Sequence, residues 1–235
     1  MTVKKMAAQF GLTGCIAMAA VFATLPAHAA FGLPDVALPG SGSKASNVDV
    51  GGLLSQQKDL MGRFNQSMNN MLVAQALTLQ AGGLKDQADA ISAAANNYKQ
   101  GAVQSKDQLE RDTQLSKNAT ETINGLIKKN ASLSAEGQAK LVSAVPHYAV
   151  GMYEGTKLPQ SFKSWTESAK SGVNSLTADP LNAGKLTSGL GDVTTVATNL
   201  PTLVSTWTAT SKAFLSYAKS NKVDTKDLSS KMGDI

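Results

Sequence analysis

Cysteine is almost missing from this chain: Cys15 is the only one in 235 residues. No disulfide can close within it, so packing alone must hold the fold. Histidine is nearly as scarce, with only His28 and His147. A Cys-x-x-Cys-His site for covalent haem is absent, and so are the Gly-x-Ser-x-Gly and His-Glu-x-x-His motifs of common hydrolases. Aromatic residues make up 5% and charged residues 17%, with a net charge of +5. A charge this small, with no clustered basic face in the sequence, argues against nucleic acid as a partner. The longest apolar run, residues 10–25, falls short of the ~18–20 residues that span a bilayer.

What is present at the amino terminus has the order of a secretory signal. Lys4 and Lys5 form a positive start, residues 10–25 an apolar region, and Pro26-Ala27-His28-Ala29 puts small residues where signal peptidase reads. Cleavage is expected after Ala29, giving a signal over residues 1–29 and a periplasmic, secreted or cell-surface destination. Leu12-Thr13-Gly14-Cys15 resembles a lipidation site, but the longest apolar stretch, residues 16–25, follows that cysteine. A lipid-anchored chain would already be polar there. Cleavage removes Cys15, Lys4, Lys5 and His28, so the mature charge falls to +3 and His147 is the one remaining histidine. No transmembrane anchor is expected after cleavage.

Residues 30–48 read as a flexible tail, with Pro34, Pro39 and the run Gly40-Ser41-Gly42-Ser43. That run is not a phosphate loop, because Ser43 precedes Lys44 and Ala45 follows it. Phe31, Leu33, Val36 and Leu38 are spaced along the tail. They either fold back onto the domain or serve as a docking peptide for a partner.

Residues 49–219 read as one helical domain, and residues 220–235 as a polar C-terminal tail. Leu53, Leu60, Phe64, Met68, Met71 and Leu79 recur at helical intervals, and Gly82-Gly83 breaks the pattern. Ala88, Ile91, Ala95 and Tyr98 begin a second face, which continues past Gly101 through Leu109, Leu115, Ile123 and Ile127 to a stop at Lys128-Lys129-Asn130. Residues 104–117 are mostly charged or amidic and are expected on the surface. Ser134 with Glu136 marks a helix start. Pro146 then kinks that helix or marks its true beginning, and Leu158-Pro159 opens a further segment. Residues 177–191 are rich in turn formers. Val193, Val196, Leu200, Leu203, Trp207, Phe214 and Tyr217 define the last long helix, whose Val193-Thr194-Thr195-Val196 is the one β-like run. Val48-Asp49 and Val223-Asp224 echo each other, each putting an aspartate where it can cap a helix. The fold expected is all-α: an irregular or elongated up-down bundle of four or five helices.

Candidate chemistry is sparse. His147 with Met68 or Met152 is the one pairing that could hold haem, and Met61, Met68 and Met71 the one thioether group for copper. Core filling explains the same methionines. Asp86/Asp89 and Asp107/Glu110 stand three residues apart on helices, but Lys85, Lys106 and Arg111 surround them, the pattern of a solvated ion-paired face. Asn65, Asn118 and Asn130 begin Asn-x-Ser/Thr triplets that composition alone explains. The expectation is therefore a non-enzyme without cofactor or metal, acting by binding a protein partner or by self-association. The alternatives are a carrier of a lipid or other apolar small molecule, and a haem- or copper-binding helical protein. The contact residues to probe are Phe31, Leu33, Trp165, Trp207, Phe214 and Tyr217, with ordinary core as the competing reading of the last four.

Overall fold

The computed structural model describes residues 49–101, 105–129, 132–176 and 180–233, all helix and short connections with no strand among them. Residues 1–48, and with them the signal, the tail and both Phe31 and Leu33, lie outside the described part.

Local chemistry marks the ends of the first three helices. Helix α1 (Val50–Ala81) starts where Asp49 Oδ1 accepts a hydrogen bond from the Gly52 amide at 2.9 Å. It closes on Gly83, whose φ of +78° suits glycine, and the Leu84 amide reaches back to the Leu79 carbonyl at 2.9 Å. Helix α2 (Lys85–Lys99) ends before Gly101, at φ +69°. The expected continuation past Gly101 therefore does not occur. Helix α3 (Lys106–Lys128) starts afresh, with Ser105 Oγ accepting from the Gln108 amide.

Helix α4 (Ala135–Ser175) begins at the expected Ser134 cap, whose hydroxyl accepts from the Gly137 amide at 3.1 Å. It then runs unbroken through Pro146 and Pro159, which were expected to interrupt it. Each proline costs about 3 kcal/mol in a helix interior. The buried row Leu141, Val145, Tyr148, Met152, Leu158, Phe162 and Trp165 carries the helix across both. Pro146 itself sits on the exposed side. Helix α5 (Pro180–Ser220) is likewise longer than expected, and it too runs through a proline, Pro201. The turn-rich stretch up to residue 191 is helical from Pro180 on, a first-turn residue for which proline is preorganised. The β-like Val193-Thr194-Thr195-Val196 lies within it, Val193 and Val196 buried. Residues 220–235 are not a bare polar tail. Asp224 Oδ1 accepts from the Lys226 amide at 3.0 Å to start α6 (Lys226–Gly233), and Val223 and Leu228 are buried.

Helix α1 is central, touching α2, α3, α4 and α5, while α4 also meets α5 and α6. Its closest partner is α4, which runs antiparallel to it. Leu53 O receives the Trp165 indole N–H at 2.8 Å, Arg63 pairs with Glu154 at 3.1 Å, and Ser67 Oγ donates to the Gly151 carbonyl at 2.8 Å. Glycines on α4 permit this approach. A Cβ at Gly151 would lie 2.7 Å from Met71 Sδ, and one at Gly137 would lie 2.9 Å from the Ala81 carbonyl oxygen. Where large side chains are few, small ones let backbones draw near and restore packing density.

Candidate functional site

The aromatic residues singled out from the sequence are interior. Trp165 and Tyr217 are almost fully buried, and Trp207 and Phe214 wholly so. The Tyr148 and Phe214 rings pack 4.4 Å apart at 37°. Trp207 lies against Gly155 and Ser67, and its indole N–H and the Ser211 hydroxyl one turn on have no hydrogen-bond partner. These four side chains occupy core positions on α4 and α5.

His147 sits half-buried on α4, its Nδ1 2.8 Å from Asn70 Oδ1. Facing a carbonyl oxygen, Nδ1 carries the proton. Burial lowers the pKa of the imidazole below its ordinary value, so it is neutral at pH 7. Met68, Met71 and Met152 are completely buried, and Met61 packs on the edge of the same core. Among the described residues no three histidine, cysteine or acidic side chains gather where they could hold a metal. Asp86, Asp89, Asp107 and Glu110 are exposed, with Lys106 3.8 Å from Glu110. Asn65, by contrast, is buried and closed to any glycan in the folded chain.

Helix α3 departs most from expectation. Its front half was expected on the surface, yet Leu109, Asp112, Thr113 and Ser116 are buried. Hydrogen bonding accounts for most of these buried polar groups, although Asp112 Oδ2 has no hydrogen-bond partner. Gln75 on α1 donates to the Ser116 carbonyl and to Thr120 Oγ1, both at 3.2 Å, and receives the Ser116 hydroxyl at 3.0 Å. Thr120 meets Thr210 of α5 at 2.6 Å. Three helices are thus pinned by one buried amide and three hydroxyls. Near the start of α3, Arg111 donates to Gln108 Oε1 at 2.7 Å, and Gln108 donates to Asp112 Oδ1 at 2.9 Å. Burial, and then the Asp112 carboxylate beside it, push the Tyr98 phenol far above its usual pKa. Spacing alone hints at none of this, because a buried Gln75 looks like any other glutamine on a helix.

No family model, no curated protein and no solved structure matches this chain. Its own surface must therefore supply the functional argument.

One groove, of about 540 Å³, lies where α3, α4 and α5 meet. Lys106 and Glu110 come from α3, Lys170 from α4, and Thr194, Thr195 and Asn199 from α5. A second groove, of about 460 Å³, runs between α2 and α3 over Leu79, Ile91 and Leu115, with Asp86, Asn118 and Thr122 at its edge. Neither contains the four aromatic residues. The first combines mobile cations with fixed hydroxyls and an amide, which equips it to hold a polar ligand by charge and hydrogen bonding. No helix among the described residues is long and apolar enough to cross a membrane.

Proposed function

We propose that this chain is an exported, non-catalytic helical protein of the bacterial envelope that works by binding a partner or by assembling with copies of itself. The observation that carries this reading is where the polar chemistry goes. Gln75, Ser116, Thr120 and Thr210 bond one another across helices, Ser67 bonds the α4 backbone, and His147 bonds Asn70. Groups that a catalytic site would need free and convergent are committed to holding helices in register. Apart from the buried Asp112 and the part-buried Arg63–Glu154 pair, the charged side chains described lie on the surface or line the open grooves, where they meet other molecules rather than transform them. In this reading residues 1–29 are a signal removed on export, residues 30–48 a flexible lead, and the helices an irregular up-down bundle that presents its surface in the periplasm or outside the cell.

The carrier alternative needs the core to part. Trp165, Trp207, Phe214 and Tyr217 contact an apolar guest only if α4 and α5 separate, which would break the packing described above. Both readings are open to test on the full chain expressed in a bacterial host. The expected result is a periplasmic or extracellular product whose intact mass begins at Ala30, with tryptophan emission unchanged on titration with fatty acid. A cytoplasmic, full-length product would overturn the export claim. A saturable spectral shift would select the carrier, and Soret absorbance or bound copper in the purified protein would select the cofactor-bearing alternative.

A further inference from the structure

We propose that the groove between α3, α4 and α5 binds an acidic carbohydrate, a chain rich in hydroxyls that carries carboxylates. The proposal rests on the binding role above and names its ligand class. The α5 wall carries the argument. Thr195 donates its hydroxyl proton to the Gly191 carbonyl at 3.0 Å, and Thr198 donates to the Thr194 carbonyl at 2.8 Å. Asn199 Nδ2 donates to the Thr195 carbonyl at 3.1 Å. Thr195 and Thr198 have thereby given their single hydroxyl protons to their own helix and keep only acceptor lone pairs, while Asn199 keeps its Oδ1 and one amide N–H. A wall of acceptors wants a ligand made of donors, and sugar hydroxyls are donors at close intervals.

The rest of the groove fits the same chemistry. Threonine methyls and Leu190 match the C–H faces of a sugar ring. Gly191 adds no side chain, and nothing lies within 4 Å of where its Cβ would be, so the surface stays open there. From Val193 to Ser211 the chain has no charged residue at all. Positive charge is confined to Lys106 and Lys170, from the two other helices. Lys106 is mostly exposed and only loosely paired with Glu110 at 3.8 Å, so both lysines can turn to a carboxylate. Inorganic polyphosphate offers acceptors only and has no hydroxyls to donate to the threonine oxygens, which disfavours it. The volume falls within the usual range for small-ligand sites, about 300–1,000 Å³.

The test is calorimetric titration of the mature protein at about 0.15 M salt, where exposed charge alone is screened. Three probes are compared: a galacturonate oligosaccharide, a neutral glucose oligosaccharide of equal length, and inorganic polyphosphate. The expected order is galacturonate first, the neutral sugar weakly, and polyphosphate not at all. Lys170→Gln is expected to weaken galacturonate about three- to fivefold. Thr198→Val keeps shape and methyls while removing the acceptor, and should weaken both sugars; circular dichroism confirms that each variant is folded. Absence of galacturonate binding, equal binding of polyphosphate, or indifference to both substitutions would overturn the assignment. Failure here together with an oligomer or a co-purifying protein would end the carbohydrate assignment and leave the wider binding role intact.

Discussion

Substituting Gly155 by alanine tests whether helices α1, α4 and α5 meet as closely as described. The new Cβ would lie 2.9 Å from Ser67 Oγ and 3.0 and 3.1 Å from two carbons of the Trp207 ring. Neither neighbour can easily give way. Ser67 is tied to the Gly151 carbonyl at 2.8 Å, and Trp207 is wholly buried. Overpacking of this kind costs about 1–3 kcal/mol. Replacing glycine by alanine inside a helix returns about 1 kcal/mol of propensity, which masks part of that cost. The control is Gly62→Ala, on the exposed side of α1 with nothing within 4 Å of the new Cβ. It receives the same propensity gain and no clash. The difference between the two variants therefore isolates the overpacking, about 1–3 kcal/mol. Urea denaturation followed by circular dichroism reads it as a difference in midpoint, about 1 M for a slope of 1–3 kcal/mol per M. If Gly155→Ala were as stable as Gly62→Ala, the close approach of α4 to Ser67 and Trp207 would be wrong.

Three further substitutions have definite expected outcomes. Gln75→Leu keeps volume but strands the Ser116 hydroxyl and leaves Thr120 without its amide donor, so chemical denaturation should show a loss of about 1–3 kcal/mol. Lys222 closes α5 with φ at 60°, while the Val223 amide bonds the Ala218 carbonyl at 2.9 Å; Lys222→Gly should raise stability by up to about 1 kcal/mol in a thermal melt. His147 has its pKa lowered by burial, so as pH falls below about 6.5 the unfolded chain takes a proton that the folded one resists. Its contribution to stability is therefore intact above that pH and declines below it until the folded imidazole also titrates. His147→Gln should flatten the stability profile over that acid window, and an unchanged slope would contradict the burial.

Much of the helical pattern was legible in the sequence because capping and apolar spacing are local. Asp49, Ser134 and the Gly82-Gly83 break each act within a few residues, and each lies where it was expected. What went unread was decided at longer range. Pro146 and Pro159 signal interruption locally, yet the continuous buried face of α4 outweighs them. The polar front of α3 looked solvated because the partner that satisfies Ser116, Gln75, is 41 residues away in sequence. The sixth helix hid in a polar stretch anchored by a few scattered residues, among them Val223, Leu228 and Met232. The candidate site was less legible still. The aromatic residues that drew attention are core, whereas the groove combines Lys106, Lys170 and Thr198 from three helices that no spacing rule brings together.

The most direct test of the central claim is native mass spectrometry of the mature protein, released gently from the envelope fraction of the host it comes from. The account predicts a chain beginning at Ala30 that carries the mass of a protein partner, of further copies or of a bound polar chain. A bare monomer that turns over substrate, or one that holds haem or a metal ion, would contradict it.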